Sequence, residues 1–458
     1  MQSPASKSKT KTTNADSIAS HPTVQRYFAG RRNTAPQTID TSWLRKLCMD
    51  LGADDVGFVD IDCAALGSER KEILETFPRT KSLISIACRM NRDNVRNPAR
   101  SLANNEFHHA GEEVNHVARE VVSHLDEKGI RAINVTMGFP MEVQKFPGGR
   151  IWVVSHKVVA VAAGLGRMGI HRNVIHPKFG NFILLATILM EPPLTEYSNP
   201  IDYNPCLTCK LCVAACPVGA IAPDGHFNFS ACFTHNYREF MGGFQDWTEN
   251  LVTSKDANQF REKIKPGDNS SMWQSLSFGA QYKAAYCMAV CPAGDDVIGQ
   301  FLENKSNYLK EVVKPLQMRT ETIYVTAGSD AQEFVARRFP HKTIRLVGSG
   351  LAADSIEGFF FGLPIIFQPG RSKNISAVYQ FRFTGTQQTE ATVTINKGKV
   401  TVEKGLIGKA DLLVTADGGA WLKFLRNRNY LPWGMITNKI KLKGDPRLLI
   451  KFGKCFVN

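Results

Sequence analysis

The feature that most narrows what this chain can fold into is the run CLTCKLCVAACP, which sets Cys206, Cys209, Cys212 and Cys216 in a C-x2-C-x2-C-x3-C-P arrangement. Two-residue spacers let successive thiolates curl around one corner of an iron–sulfur cube, and the cysteine ahead of Pro217 is handed to a second cluster. A structural zinc site more often shows two separated pairs, so this spacing points to iron–sulfur. The handed-over ligand predicts a second half-motif downstream, and CMAVCP supplies Cys287 and Cys291 before Pro292, with Cys232 between the halves. Cys206, Cys209, Cys212 and Cys291 are therefore expected to hold one [4Fe–4S] cluster, and Cys216, Cys232 and Cys287 most of another. A complete second half would carry cysteine at position 284, where the chain has Ala284. The second cluster is then a [3Fe–4S], or opens one iron to a ligand such as His235, or recruits a distant cysteine such as Cys88. We read it as a cubane with an unusual fourth ligand. Cys48, Cys63 and Cys455 read as small buried hydrophobes.

Eleven cysteines in 458 residues, clustered as these are, do not make a disulfide framework. The length is about three times the ~150-residue prior for one domain. The longest apolar stretch, Phe359 to Phe367, carries Gly362 and Pro364 and falls short of the roughly 20 residues a membrane span needs. Arg31-Arg32 is followed by Asn-Thr-Ala-Pro rather than the apolar run of an export signal, so a cytoplasmic location is expected. The formal charge of +14 suits acidic partners such as tRNA, anionic lipid or an acidic electron donor, and suits solubility equally well.

Residues 1–38 are rich in Ser, Thr and Lys and read as a disordered basic arm. Over 39–200 helical stripes (Trp43, Leu44, Leu47, Leu51; Val114, Val117, Val121, Leu125) alternate with strand-like runs (VGFVDI, SLISIA, AINVTM, NFILLATILM), which predicts an α/β domain with helices packed on a sheet. Residues 201–315 form the turn-rich cysteine domain, and 316–351 a strand–helix–strand connection. From 352 to 458 the alternation YQFRF, the hairpin ATVTINKGKVTVEKG with Gly398 in its turn, and a helix around Trp421 predict an α+β domain. The fold class is thus multidomain α/β (α+β).

Gly164, Gly166 and Gly169 in GLGRMG satisfy the dinucleotide fingerprint G-x-G-x-x-G, with Glu191 about twenty residues on. Its context is wrong: the preceding run can be read as a helix, and the following IHRNVIHPKFG, with Pro177 and Gly180, makes a poor crossover helix. The stretch AGLGRMGIHRNVIHPKFGNFILLATILMEPPL, followed by CLTCKLCVAACPVGAI and the later CxxxCP, resembles the corrinoid-dependent iron–sulfur reductases, which include epoxyqueuosine reductase and the reductive dehalogenases. The likeness covers roughly residues 40 to 300. It implies a nitroreductase-like domain binding cobalamin, a bacterial ferredoxin-like domain with two clusters passing electrons singly to cobalt, and Gly164, Gly166, Gly169, His171, Asn173 and Gly180 lining the corrinoid. The competing reading is that these glycines only permit a tight turn.

Epoxyqueuosine reductases carry an Asp proton donor about fourteen residues ahead of the glycine loop, where this chain has Arg150. The helical-repeat tail those enzymes use on tRNA is not recognisable either, so tRNA is not expected as the substrate. Reductive dehalogenases use a Tyr acid beside a Lys or Arg, which makes Arg150 and Lys157 candidate cations and Tyr237, Tyr282 and Tyr286 candidate acids. His108, His109 and His156 are alternative donors. The tail resembles a sterol carrier protein type two (SCP2) domain through YQFRFTG, VTINKGKVTVEKG, ADLLVTADGGAWLKFL and KIKLKGDPRLLIKF. The likeness implies an apolar tunnel for a lipid or acyl ligand, with Phe359, Phe360, Phe361, Trp421, Leu422 and Leu425 as lining candidates. The expected activity is a reductive-dehalogenase-like removal of a halide or oxygen from a hydrophobic small molecule, fed by a ferredoxin-like or flavodoxin-like donor. The rivals are an epoxyqueuosine-reductase-like enzyme on tRNA and a non-catalytic electron-transfer or lipid-binding protein.

Overall fold

The computed structural model describes residues 18–30 and 38–457. Of the stretch read as a disordered arm, Pro22–Gly30 forms a helix, with Val24, Tyr27 and Phe28 at helical spacing; residues 1–17 and 31–37 lie outside the described residues. The next helix, Thr41–Asp50, starts where the Asp40 carboxylate accepts the N–H groups of Ser42 (2.7 Å) and Trp43 (3.0 Å), satisfying donors that a helix start leaves unpaired.

Strands β1 (Asp55–Asp60), β2 (Ser82–Arg89), β3 (Ala132–Val135) and, after the short pair β4 (Arg167–Met168) and β5 (Val174–Ile175), β6 (Ile183–Met190) follow. The first sheet runs β1-β2-β6-β3 with every neighbour antiparallel, so the alternation of strand and helix builds an α+β layer rather than a parallel sheet. Because successive side chains alternate across a strand, Ile84 and Ile86 of β2 join one core and Leu83 and Ala87 the other. Helices Thr41–Asp50 and Arg100–Glu127 cover the first face, the latter through Val114, Val117, Val121 and Leu125. The run around Ser155 to Ala163, readable as helix or strand, is the helix His156–Ala162, and its Val159, Ala160 and Ala162 cover the second face.

The cysteine domain is built from short helices, among them Leu211–Ala215, Phe229–Asn236 and Tyr286–Ala289. Strands β7 (Thr322–Val325) and β8 (Thr343–Leu346) pair in parallel around the helix Asp330–Arg338. The tail opens with the helix Ile356–Ile366 and places β9 (Ser376–Thr384), β10 (Thr389–Asn396), β11 (Lys399–Lys404), β12 (Leu412–Asp417) and β13 (Ile440–Gly444) in the order β11-β10-β9-β12-β13. The β10–β11 turn uses Lys397 and Gly398, both at positive φ (44° and 90°), as the strand twist requires. Trp421, Phe359, Phe381 and Phe383 meet at ring separations of 5.7 to 6.3 Å in the tail's interior, and Leu422 is buried beside them. Phe361 and Leu425, expected to line an interior tunnel, are 43% and 38% exposed, because helical periodicity turns them outward. From Gly418 to the last residue the chain carries nine Lys and Arg side chains against one Asp. Among the described residues no helix is long and apolar enough to cross a membrane.

Candidate functional site

The cysteine motifs fold into two loops of the same shape. In Cys209-Lys210-Leu211-Cys212, Lys210 takes a left-handed conformation (φ 55°) and starts the helix Leu211–Ala215. In Ala284-Ala285-Tyr286-Cys287, Ala285 does the same (φ 53°) ahead of Tyr286–Ala289. Few L-residues adopt that region without constraint, so its repetition marks Ala284 as the counterpart of Cys209. The ligand loop is kept and its thiol is gone.

Cys206, Cys209, Cys212 and Cys291 line one cavity, joined by Ile170, His171, Lys210, Pro292 and Ala293. This is the set expected from the spacing. Burial, then the neighbouring thiols, pushes Cys212 up; burial pushes Cys291 up to about 12. Thiols held this high ionise only against compensating positive charge, which iron provides. Cys216, Cys232 and Cys287 form a second group within electrostatic reach of one another, and the Ala220 N–H donates to Cys216 Sγ at 3.3 Å. Among the described residues no three His, Cys, Asp or Glu side chains converge enough to hold a single metal ion. Thiolates in sets of three and four are the donors an iron–sulfur cluster takes.

Of the two proposed replacements for the fourth ligand, Cys88 lies apart from the second group, while His235 shares the helix Phe229–Asn236 with Cys232 and its buried Nε2 has no hydrogen-bond partner among the described residues. Cys88 is buried in the core between sheet and helices, its Sγ 3.9 Å from Gly52 O. His235 is buried, its Nδ1 accepts the Tyr324 N–H at 3.4 Å, and burial followed by Lys283, Lys342, Arg238 and Arg319 lowers it to about 3.

Lys157, on the helix His156–Ala162, lies within electrostatic reach of Cys232 and Cys287. Its Nζ donates to Arg172 O (2.7 Å) and Asn173 Oδ1 (3.0 Å), and burial lowers its pKa, the two thiols acting against this. Tyr237 and Tyr282 meet edge to face at 5.4 Å, and Phe240 packs on Tyr282 (4.7 Å) and on Phe139 (5.4 Å). Burial raises Tyr237 well above the usual phenol value and Tyr282 to about 12, yet both, like Lys157, Cys232 and Cys287, keep some accessible surface. Desolvated yet not fully enclosed, Lys157, Tyr237 and Tyr282 mark a candidate cleft beside the second thiol group.

The remaining candidates stand elsewhere. Arg150 is ion-paired with the buried Glu69 and donates to Trp152 O (2.8 Å) and Val153 O (3.2 Å). Tyr286 donates to Glu321 Oε2 at 2.8 Å and accepts from Arg319. His156 is held at both nitrogens, by Thr187 Oγ1 (2.9 Å) and Thr136 O (2.8 Å). His109 is exposed, and His108 packs under Gly279.

The glycine loop is closed by its own chain. A Cβ on Gly164 (φ 73°) would lie 2.3 Å from Asn199 O, one on Gly166 2.4 Å from Ile175 O, and one on Gly180 (φ 65°) 2.1 Å from Ala293 O. Gly169 leaves room for the His171 ring, and Asn173 is engaged by Lys157 and His171. Lys157, Tyr237 and Tyr282 supply a cation and aromatic rings of the kind a large planar cofactor packs against. Sequence reasoning missed Phe139 and Phe240; no spacing signal brings residues a hundred positions apart together.

Fold and thiol groups together define a class: an α+β scaffold carrying a cysteine domain with two groups of thiols, followed by a sheet-and-helix tail. Residues 368–457 match the SCP-2 sterol transfer family. The chain is 32% identical over 130 residues to an epoxyqueuosine reductase of Cyclobacterium marinum, covering 26% of this chain and 42% of that protein. It is 37% identical over 151 residues to that of Leadbetterella byssophila, covering 28% and 48%. The chain thus spans less than half the length of these relatives. Among solved structures, epoxyqueuosine reductase from Streptococcus thermophilus aligns over 60% of this chain and 75% of its own at 18% identity and a TM-score of 0.35. A reductive dehalogenase with a B12-dependent mechanism aligns over 42% and 27% at 16% identity and a TM-score of 0.33.

Proposed function

We propose that the protein is a cytoplasmic corrinoid- and iron–sulfur-dependent reductase that removes an oxygen leaving group, as the epoxyqueuosine reductases related to it do by name, with tRNA as the substrate class. The relatives' names support this over the dehalogenase-like reaction expected from the sequence, and the charge of +14 suits a polyanionic substrate. The observation that carries the reading is the pair of thiol groups, the first around one cavity and the second within electrostatic reach of Lys157 and Tyr237.

When bound, the clusters supply electrons one at a time and a corrinoid in the cleft supplies the reducing centre for the substrate carbon. The chain's own residues do the rest. Tyr237 and Tyr282 keep their protons at neutral pH because burial raises both phenols, so either hydroxyl can hand a proton to the oxygen that leaves. The Lys157 ammonium, fixed by Arg172 O and Asn173 Oδ1, steadies negative charge at the cleft floor. Phe240 and Tyr282, half-buried and packed together, limit water there. Arg150, bound to Glu69, stands where an Asp donor was expected, which moves the acid to the tyrosines. An external ferredoxin-like or flavodoxin-like protein feeds the first group.

The SCP-2 match favours a second reading, a hydrophobic small molecule as substrate or as ligand of the tail. Protein reconstituted anaerobically with iron, sulfide and cobalamin, and supplied with a low-potential reductant, separates the two. Reduction of an epoxyqueuosine-bearing tRNA stem-loop, bound in a salt-sensitive manner, is the expected result. Turnover of a halogenated phenol alone transfers the assignment to the second reading. No turnover of either by fully loaded protein leaves an electron carrier and overturns both.

A further inference from the structure

The glycine loop presents a polar group that neither the thiol spacing nor the cleft accounts for. His171 is 4% exposed and lines the same cavity as Cys206, Cys209, Cys212 and Cys291. Its Nδ1 accepts the Asn173 N–H at 3.1 Å, a bond that only an unprotonated Nδ1 can make. The ring proton of the neutral imidazole therefore sits on Nε2. Nε2 is buried and has no hydrogen-bond partner among the described residues, an arrangement that buried donors avoid unless something is meant to accept.

The loop is constructed to hold the ring there. A Cβ on Gly169 would lie 2.8 Å from His171 Cε1, so glycine makes the space. Gly169 N donates to Asn173 O and Arg172 N to Gly169 O, both at 2.9 Å, closing a tight turn through Arg172 at φ 64°. Lys157 then ties Arg172 O and Asn173 Oδ1 from outside.

We infer that His171 Nε2–H donates a hydrogen bond to a sulfur of the cluster held by these four cysteines and raises its reduction potential. The inference rests on the iron–sulfur reading of that cavity. A donor aimed at cluster sulfur stabilises the more negative, reduced state more than the oxidised one. One electron from the external donor is gained and passed on; the proton stays on Nε2 and no bond breaks. His171 is thus a tuning and positioning residue, not a catalytic one.

The test is a redox titration, read by electron paramagnetic resonance, of wild-type, His171→Phe and His171→Gln proteins. His171→Phe is expected to lower the reduced-to-oxidised ratio at fixed potential about tenfold, equivalent to about 59 mV for one electron. His171→Gln, whose amide can still donate, should recover a large part. An intact cluster with an unchanged midpoint in His171→Phe, or equal shifts in both variants, overturns the donor role. Should His171→Phe fail to assemble, wild-type protein labelled with 15N-histidine decides. A weak 15N coupling to the reduced cluster supports the bond, and its absence refutes it. A wild-type chain that takes up no cluster overturns the iron–sulfur reading and this inference with it.

Discussion

Gly180→Ala isolates a joint between the sheet domain and the second cysteine loop. Gly180 sits at φ 65°, where an alanine costs about 1–2 kcal/mol by itself. Its new Cβ would also lie 2.1 Å from Ala293 O, two residues from Cys291. Relief requires the two backbones to part. That strains the reciprocal His176–Gly180 bonds (2.7 and 2.9 Å) and those from Asp295 N to Pro177 O (2.9 Å) and Asp296 N to Lys178 O (3.0 Å). Leaving even one such group unpaired costs about 1–3 kcal/mol, so the total is about 2–5 kcal/mol. Gly129→Ala is the matched control: it shares the positive φ (72°) in the turn that ends the helix Arg100–Glu127, but nothing lies within 4 Å of its Cβ, so it should lose only about 1–2 kcal/mol. Urea unfolding followed by circular dichroism gives both values, and iron per chain reports whether the Cys291 loop has moved. If Gly180→Ala is no more destabilising than Gly129→Ala and binds as much iron, the joint does not constrain the loop as described.

Ala284→Cys should restore a thiol to the loop that mirrors Cys209 and convert an atypical second cluster to full thiolate ligation; an unchanged low-temperature spectrum at equal iron would argue that the loops are not equivalent. His235 binds its proton more weakly folded, at about 3, than unfolded, near 6.5. Its contribution is complete above the unfolded value and is lost as pH falls, by about 1.4 kcal/mol per unit between pH 6 and pH 4. His235→Gln should flatten that slope by one proton, and parallel curves for the two proteins would refute the assignment. Trp421→Ala should destabilise the tail by about 3–5 kcal/mol while leaving cysteine-domain spectra unchanged, since the ring is 1% exposed and packs only within the tail core.

Both groups of thiols were legible because cluster ligation imposes a short-range spacing, and the tail's hairpin because Lys397-Gly398 is a local turn signal. The sheet's antiparallel order was not, since β6 pairs with strands some fifty to one hundred residues earlier. Among the tyrosines, Tyr286 shares a motif with Cys287, yet Arg319 and Glu321 capture its hydroxyl. Tyr237 and Tyr282 reach the cleft through a turn and helix whose directions depend on packing. The glycine loop showed a fingerprint but not its purpose: which atoms approach each missing Cβ is decided by Asn199, Ile175 and Ala293, distant in sequence.

The crowding of nine cations into the final stretch from Gly418 makes the molecule electrically lopsided. Its far field points any drifting polyanion toward the tail before the cleft can be sensed, and dissolved salt would erase that bias first.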